Sequence, residues 1–111
     1  MGSKTEPKDR GTARACPIAD ALDLLGDRWS LLVLREINLG HGRFSEIRVN
    51  TGAPKETLTA RLRKLEEAGV IARRPLGKSA PNRHGYVLTD AGEDVRPVLA
   101  ALHAWGEHHG A

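Results

Sequence analysis

The sequence predicts a mainly α-helical domain with one small β-hairpin. Three observations support this fold class. Apolar residues recur at helical spacing in several separate stretches, glycine or proline stands at their ends, and two strand-like segments flank a polar loop near the middle. A chain of 111 residues has the length of one domain, which we expect at residues 16–106 between a flexible tail at 1–15 and a frayed end at 107–111.

The first two helices are predicted from their caps and their apolar spacing. Apolar residues at positions 18, 21, 22 and 25 follow one helical face. Pro17 suits a first helical turn because its missing N–H would be unpaired there, so Cys16 is the expected N-cap and Gly26 the end of the helix. Asp27 caps a second helix that runs to about Leu39. That helix is apolar over a wide stripe, so we expect it at the centre of the core.

A short third helix is predicted at about residues 46–50. Ser45 suits its N-cap, and Phe44 and Val49 stand at the two positions of a hydrophobic staple. The glycine-containing segment 51–53 then forms a tight turn.

A fourth, basic helix starts at Pro54 and ends at Gly69. Leu58, Leu62 and Leu65 line one of its faces at spacings of four and three. The opposite face is polar and carries Glu56, Ala60, Arg63, Lys64 and Glu67, with Thr57 and Thr59 on its flanks. One face can therefore join the core while the other remains open to a partner.

A hairpin and a last helix complete the chain. Segment 70–76 begins with β-branched residues, a polar loop with glycine and proline follows, and segment 86–89 has strand character. Pro75 favours a sheet edge for the first strand. Thr89 caps a final helix, and Pro97 either kinks that helix or displaces its start.

The basic residues are concentrated in the middle of the chain. Residues 41–88 contain ten Lys and Arg against four Asp and Glu, a net charge of +6, whereas the whole chain has a net charge of +3. A basic block in a near-neutral chain suggests a polyanionic partner. The alternative is an ordinary solvated charged face.

The order of the elements is that of a winged helix-turn-helix. The major groove of double-stranded DNA admits one helix, which the preceding helix supports across the backbone, and a basic hairpin loop, the wing, reaches phosphates or the minor groove. The candidate DNA contacts on the fourth helix are Lys55, Glu56, Thr57, Thr59, Ala60, Arg63 and Lys64, and those on the wing are Arg74, Lys78, Asn82 and Arg83. Arg61 lies nearer the apolar stripe and either braces the helix or reaches a phosphate. Arg73 and Arg74 alternate along a strand, so at most one of them faces DNA.

Several motifs resemble those of HxlR-type transcriptional regulators, which are close to the MarR-like winged-helix proteins. The motifs are CP-x4-L-x-LLG-x-RW from Cys16, LRE-x3-G from Leu34, RFSEI, LTARLRKLEEAGVIARR and Y-x-LT-x2-G. The resemblance extends from about Cys16 to Trp105. One departure is VNTGAP at residues 49–54, where the family often has an isoleucine-serine pair.

The resemblance implies a homodimeric DNA-binding transcription factor, usually a repressor and sometimes an activator. A two-fold dimer is expected to bind an inverted-repeat operator. Dimers of the family are held by the N- and C-terminal helices. The apolar residues available for this contact are Ile18, Leu22, Leu25, Leu99, Leu102 and Trp105.

Cys16 has three interpretations. As an N-cap it faces the positive end of a helix dipole, which favours the thiolate. The resemblance implies a sensor of oxidants, quinones or aldehydes, because some family members use a cysteine at this position, and the signal would then be a small reactive molecule acting by oxidation or by alkylation. The third interpretation is an inert, partly buried small residue.

Other classes of protein are disfavoured. No apolar run approaches the length of a membrane span and the N-terminus lacks a signal peptide. One cysteine excludes an internal disulfide and a cysteine-based zinc site, and His103, His108 and His109 do not share a helix face. No catalytic or phosphate-loop motif is present, so we expect a cytoplasmic protein that is not an enzyme and that uses no cofactor or metal.

Two alternatives for the function come from other classes. A winged-helix module for protein–protein assembly would make no DNA contact, but it would tend to carry apolar groups where this chain has Thr59, Arg63 and Arg83. A small oxidoreductase based on Cys16 would lack a partner thiol and a cofactor motif.

Overall fold

The computed structural model describes residues 16–77 and 83–110, in which six helices and one β-hairpin follow one another. The predicted tail at 1–15 and the wing residues Lys78 and Asn82 lie outside the described residues. The elements are α1 (Pro17–Leu25), α2 (Arg28–Asn38), α3 (Phe44–Thr51), α4 (Lys55–Glu67), β1 (Ile71–Pro75), β2 (His84–Leu88), α5 (Asp90–Glu93) and α6 (Arg96–His109).

Helices α1 and α2 begin at the predicted caps. The Sγ atom of Cys16 accepts a hydrogen bond from the Ala19 N–H at 3.4 Å, and Pro17 occupies the first turn. The Asp27 carboxylate accepts hydrogen bonds from the N–H groups of Trp29 and Ser30, both at 2.9 Å. Both caps are confirmed, since each satisfies N–H groups that have no partner inside the helix.

The start of α3 differs from the prediction. The helix begins at Phe44 with Arg43 as its N-cap, so Ser45 lies inside it. The Glu46 carboxylate accepts a hydrogen bond from the Arg43 N–H at 3.2 Å, which supports an N-terminus two residues earlier. The predicted staple is wrong, because Val49 is 79% exposed.

A tight turn joins α3 to α4, as predicted. The Thr51 hydroxyl donates to the Ile47 carbonyl at 2.7 Å and accepts from the Ala53 N–H at 3.2 Å. Gly52 has φ of +76°, a left-handed conformation that favours glycine. Pro54 then stands at the N-cap of α4. The side chain of Thr51 and the backbone of Gly52 therefore set the direction in which α4 leaves.

The hairpin is antiparallel, with Ile71 opposite Leu88 and Pro75 opposite His84. The segment before α3 is hydrogen-bonded to this hairpin, because the Tyr86 N–H donates to the Gly42 carbonyl at 2.8 Å. The start of α3 is thus fastened to the wing.

The predicted last helix is divided into α5 and α6. Pro97 lies in the first turn of α6, so it displaces the start of this helix, one of the two predicted effects. A proline ring clashes with the carbonyl four residues before it, which prevents a continuous helix through this point. Helix α6 continues to His109, so residues 107–109, where the sequence predicts fraying, are helical.

Helix α2 lies at the centre of the core, as predicted. It packs against α1, α3, α4, β2 and α6. Its Val33, Leu34 and Ile37 join a buried cluster that also contains Ile47, Ala53, Leu58, Leu62, Leu65, Val70, Ile71 and Val95. In the part of the chain described, no helix is long and apolar enough to cross a membrane.

The close approach of Gly42 to β2 gives a test of this packing. A Cβ atom at Gly42 would overlap the carbonyl oxygen of Tyr86, a backbone atom that cannot move aside alone. We expect Gly42→Ala to lower the free energy of unfolding by roughly 1–3 kcal/mol. Gly106→Ala is the matched control, since a Cβ there meets no atom within 4 Å and alanine favours a helix by about 0.5–1 kcal/mol. Chemical denaturation measures both, and equal effects of the two substitutions would contradict the packing described.

Candidate nucleic-acid interface

Helix α4 presents one polar face to solvent. Its Leu58, Leu62 and Leu65 are buried, so the opposite face of the helix points to solvent. Six of the seven candidate contacts on this helix are exposed, namely Lys55, Glu56, Thr59, Ala60, Arg63 and Lys64, whereas Thr57 is half-buried. The Thr59 hydroxyl donates to the Lys55 carbonyl at 2.9 Å, so the backbone of α4 fixes the orientation of this side chain.

A groove separates α4 from the hairpin. It is lined by Thr59, Arg63, Glu66, Glu67, Arg73 and Tyr86. Arg73 enters it from β1 and its Nε lies 3.3 Å from Oε2 of Glu66. The groove therefore combines a guanidinium from the helix with one from the hairpin.

Arg74, the strand residue assigned to DNA from the sequence, is on the other face of the hairpin. It lines a different hollow, together with Gly42 and Arg43. Side chains alternate along a strand, and Ile71 is buried against the core, so Arg73 shares the inward face of Ile71 and lies beside α4. Of the two arginines, Arg73 is the one placed next to the polar face of α4.

Arg83 stands just before β2 and is exposed. It lines an open hollow with Arg43, Ser45 and His84, so the wing and the first turn of α3 form one basic edge. Arg43 was counted in the basic block but was not singled out from the sequence, because its nearness to the wing depends on the Gly42–Tyr86 hydrogen bond.

Two basic residues of α4 are directed to the corner between α1 and α2. The Lys64 ammonium donates to the Asp23 carbonyl at 3.0 Å, so in this structure it lies against α1. The Arg61 Nε donates to Oδ1 of Asp27 at 3.0 Å. This contact is compatible with the bracing role, one of the two roles predicted for Arg61.

Asp27 is the most strongly perturbed acid at this corner. Partial burial raises the pKa of its carboxyl, but the hydrogen bonds from Ser30 and the hydrogen bond and charge of Arg61 outweigh burial and bring the pKa to about 2. The Ser30 hydroxyl, which is fully buried, donates to Oδ2 at 2.7 Å. The carboxylate therefore stays charged throughout the neutral range.

Glu36 is a buried carboxylate that the sequence did not reveal as important. It is 4% exposed and accepts hydrogen bonds from Nδ2 of Asn50 at 2.8 Å and from Nε of Arg35 at 2.7 Å, while Nδ1 of His41 lies 3.1 Å away. Arg35 also donates to the Asn50 carbonyl at 3.3 Å. Burial raises the pKa of Glu36, but the hydrogen bonds from Asn50, His41 and Arg35 have the larger effect and bring the pKa below its ordinary value of 4.5. One charge thus joins the end of α2 to the end of α3, directly before the turn into α4.

Apolar side chains remain exposed on the two terminal helices. Ile18 and Leu22 of α1 are 72% and 57% exposed, and Leu102 and Trp105 of α6 are 50% and 64% exposed. Of the six apolar residues named from the sequence, Leu25 and Leu99 are half-buried and pack against the core. The apolar surface left for a partner is therefore formed by the other four residues and Val98, which is also exposed.

Cys16 is half-buried at the start of α1 and its thiol is free. Its Sγ is the cap acceptor described above, so it is directed toward the first turn of the helix. Among the described residues, no group of three or more His, Cys, Asp or Glu side chains is arranged to hold a metal ion.

The chain is similar to known regulators over most of its length. The sequence profile of the HxlR-like helix-turn-helix family matches residues 24–111. An uncharacterized HTH-type transcriptional regulator of Mycobacterium tuberculosis, Rv3095, is 44% identical over 92 residues, which are 83% of this chain and 58% of the relative. The chain thus spans a little over half the length of such relatives.

Two solved structures agree with the fold. PA1607, named as a transcription factor, superimposes with a TM-score of 0.78 at 40% identity, covering 86% of this chain and 66% of the other. The reduced form of the transcriptional regulator YodB from Bacillus subtilis gives a TM-score of 0.70 at 30% identity, covering 84% and 92%. YodB has also been solved after treatment with diamide. The fold of this chain is therefore a winged helix-turn-helix.

The pKa of Glu36 gives a prediction on stability. A carboxyl whose folded pKa is lowered stabilises the fold above its unfolded pKa and loses this contribution as the pH falls through the folded pKa. We expect Glu36→Gln to lower the free energy of unfolding by roughly 1–3 kcal/mol at pH 7, and the difference from wild type to shrink below pH 4.

The control for Glu36→Gln is Glu107→Gln. Glu107 lies 3.4 Å from His103 in an exposed pair, so its loss should change stability little. Urea denaturation between pH 7 and pH 3 measures both variants. A Glu36→Gln effect that stays constant over this range would show that the charge of Glu36 does not hold α2 to α3.

Proposed function

The chain belongs to the HxlR-like helix-turn-helix family, and from this premise we propose that it is a sequence-specific DNA-binding transcriptional regulator. In this proposal it acts as a repressor and binds an inverted-repeat operator as a homodimer. The observation that carries the proposal is the exposed polar face of α4, which opens into a groove shared with a basic hairpin.

The dimensions and charges of this face suit a DNA duplex. The major groove is about 12 Å wide and accepts one α-helix, and α4 is the helix whose outward face is polar along its length. Arg63 is exposed and makes no ion pair within the described residues, so its guanidinium is free to pair with a guanine edge. Lys55, Glu56, Thr57, Thr59 and Ala60 surround it on the side that would enter the groove.

The wing supplies the contacts to the DNA backbone in this proposal. Arg83 and Arg43 line one open hollow beside the first turn of α3, and arginine side chains are well suited to hydrogen-bond a phosphate. We assign Lys78 and Asn82 to the same loop contact from their positions in the sequence. Arg74, on the far face of the hairpin, is the least favourably placed of the wing residues.

A second copy of the chain is the proposed occupant of the apolar surface on α1 and α6. Ile18, Leu22, Leu102 and Trp105 expose at least half of their area, and large exposed apolar side chains grouped on two helices mark an interaction site. Two copies related by a two-fold axis would present two α4 helices to successive major grooves, so half-site centres should lie ~10–11 base pairs apart or a multiple of this.

Cys16 is the proposed site of a signal. It caps α1, the helix that also carries Ile18 and Leu22, so a change at the thiol reaches the proposed dimer surface directly. With diamide, two Cys16 thiols from two protomers would lose two electrons and two protons to the reagent and form one disulfide. An aldehyde or quinone would instead form a bond to a single sulfur.

The alternative function is an assembly module that binds proteins and not DNA. The face formed by Thr59, Arg63 and Arg83 is polar and basic, whereas an assembly surface would be expected to expose apolar groups there. We therefore favour DNA.

Selection of bound fragments from genomic DNA tests the proposal. The full chain is incubated with sheared fragments at 0.15 M salt, and retained fragments are sequenced with and without diamide. Enrichment of an inverted repeat with the spacing above supports a dimeric regulator. Uniform retention of all sequences, or none, would contradict sequence-specific binding.

Arg63→Ala and Arg83→Ala should weaken DNA binding in different ways. Loss of a base contact at Arg63 should cost ~1–3 kcal/mol and relax specificity at one position. Loss of a phosphate contact at Arg83 should weaken binding to all DNA sequences alike. It should also reduce the slope of log affinity against log salt concentration by about 1 per contact per protomer. Titration of operator and random duplexes at several salt concentrations separates the two effects. If both variants bind like wild type with unchanged melting temperatures, the assigned DNA face is wrong.

Cys16→Ser should remove the response to thiol reagents while keeping the helix cap, because serine is a good N-cap. We expect diamide to weaken operator binding by wild type. A free-energy coupling of about 1.4 kcal/mol between oxidation of Cys16 and DNA binding corresponds to a tenfold change in affinity. The variant should bind equally with and without diamide or an aldehyde. The same response in both proteins, or in neither, would leave Cys16 as a capping residue only.

A further inference from the structure

We propose that Arg61 is a positioning residue, which holds α4 on the corner between α1 and α2 through Asp27 and does not itself contact DNA. The inference rests on the proposed function, in which α4 enters the major groove. It assigns a role to the one arginine of α4 that points away from the exposed polar face.

The contact joins segments that are far apart in the chain. Arg61 and Asp27 are 34 positions apart, and their side chains are 31% and 29% exposed. Oδ1 of Asp27 accepts from Arg61 while it also caps the first turn of α2 through Trp29 and Ser30. The same oxygen therefore fixes the start of α2 and the middle of α4.

Lys64 makes a second link to the same corner. Its ammonium donates to the carbonyl of Asp23 at 3.0 Å, in the last turn of α1. The end of a helix carries partial negative charge on such carbonyls, which favours a cation there. Arg61 and Lys64, three residues apart on α4, thus fasten one edge of this helix at two points.

The two links connect α4 to the proposed dimer surface. Helix α1 carries the exposed Ile18 in its first turn, and in its last turn the exposed Leu22 directly precedes Asp23, whose carbonyl accepts from Lys64. A rotation of α1 would displace the corner and, through Arg61 and Lys64, the helix that meets DNA. The corner is therefore the point at which dimer geometry can act on DNA binding.

Three variants test the inference by the sign of their effect on operator affinity. Asp27→Ser keeps the N-cap but is too short and uncharged to hold Arg61. If Arg61 positions α4, then Asp27→Ser and Arg61→Gln each weaken binding, roughly fivefold or more, and the double variant is no weaker than either one. If Arg61 contacts a phosphate, Asp27→Ser frees it and binding stays equal or tightens, which overturns the inference. Additive losses, or no loss, overturn it as well.

Two controls address folding. Asp27→Asn preserves the shape of the side chain and its cap, so it should stay folded and give a smaller loss in the same direction. Arg63→Gln removes an exposed neighbour without touching the corner, and its effect should add to that of Arg61→Gln. Thermal melts confirm that each variant is folded at the temperature of the binding assay.

Residual dipolar couplings test the positioning role without DNA. They report the orientation of the α4 axis relative to α2 in the free protein. We expect α4 to be tilted in Asp27→Ser and in Arg61→Gln, and the couplings of α2 to be unchanged. Wild-type orientation of α4 in both variants would overturn the inference. If wild type binds no DNA at all, the proposed function fails, and these couplings still decide whether Arg61 positions α4.

Discussion

Helix α2 is the constraint on which the rest of the structure depends, because a carboxylate at each of its ends is fastened to the helix-turn-helix. Asp27 at the start of α2 holds Arg61 of α4, and Glu36 near its end holds Asn50 of α3. Between them, Val33 and Leu34 are fully buried. The hydrophobic effect places α2 in the core, and the two charges fix the directions in which α3 and α4 lie on it.

Within the described residues, some arginines are paired with carboxylates and others are not. Arg35, Arg61 and Arg73 are paired with carboxylates, so they serve the fold or one edge of a groove. Arg63 and Arg83 make no ion pair within the described ranges 16–77 and 83–110, and both are exposed. Positive charge of the middle segment therefore reaches the surface on α4 and beside the hairpin, a distribution that suits a polyanionic partner.

The sequence predicts local features better than long-range ones. Cys16 and Asp27 were identified as caps because their partners lie within three residues. The role of Glu36 cannot be predicted from the sequence because Asn50 is 14 positions away, and the hydrogen bond of Lys64 cannot be predicted because its acceptor carbonyl is 41 positions away. The sequence does not show which of Arg73 and Arg74 faces α4. The preceding residues Val70 and Ile71 are both apolar and both buried, so the apolar pattern does not indicate which face of the strand points to the core.

The most direct test of the account is a chemical-shift titration of the isotope-labelled protein with its selected operator duplex. We predict that the largest changes fall on the exposed face of α4, on the hairpin around Arg73 and Arg83, and on the first turn of α3. The buried amides of α2 and the exposed face of α6 should change little. Changes centred on α1 and α6, with α4 and the hairpin unaffected, would contradict the claim that α4 and the wing form the surface that binds DNA.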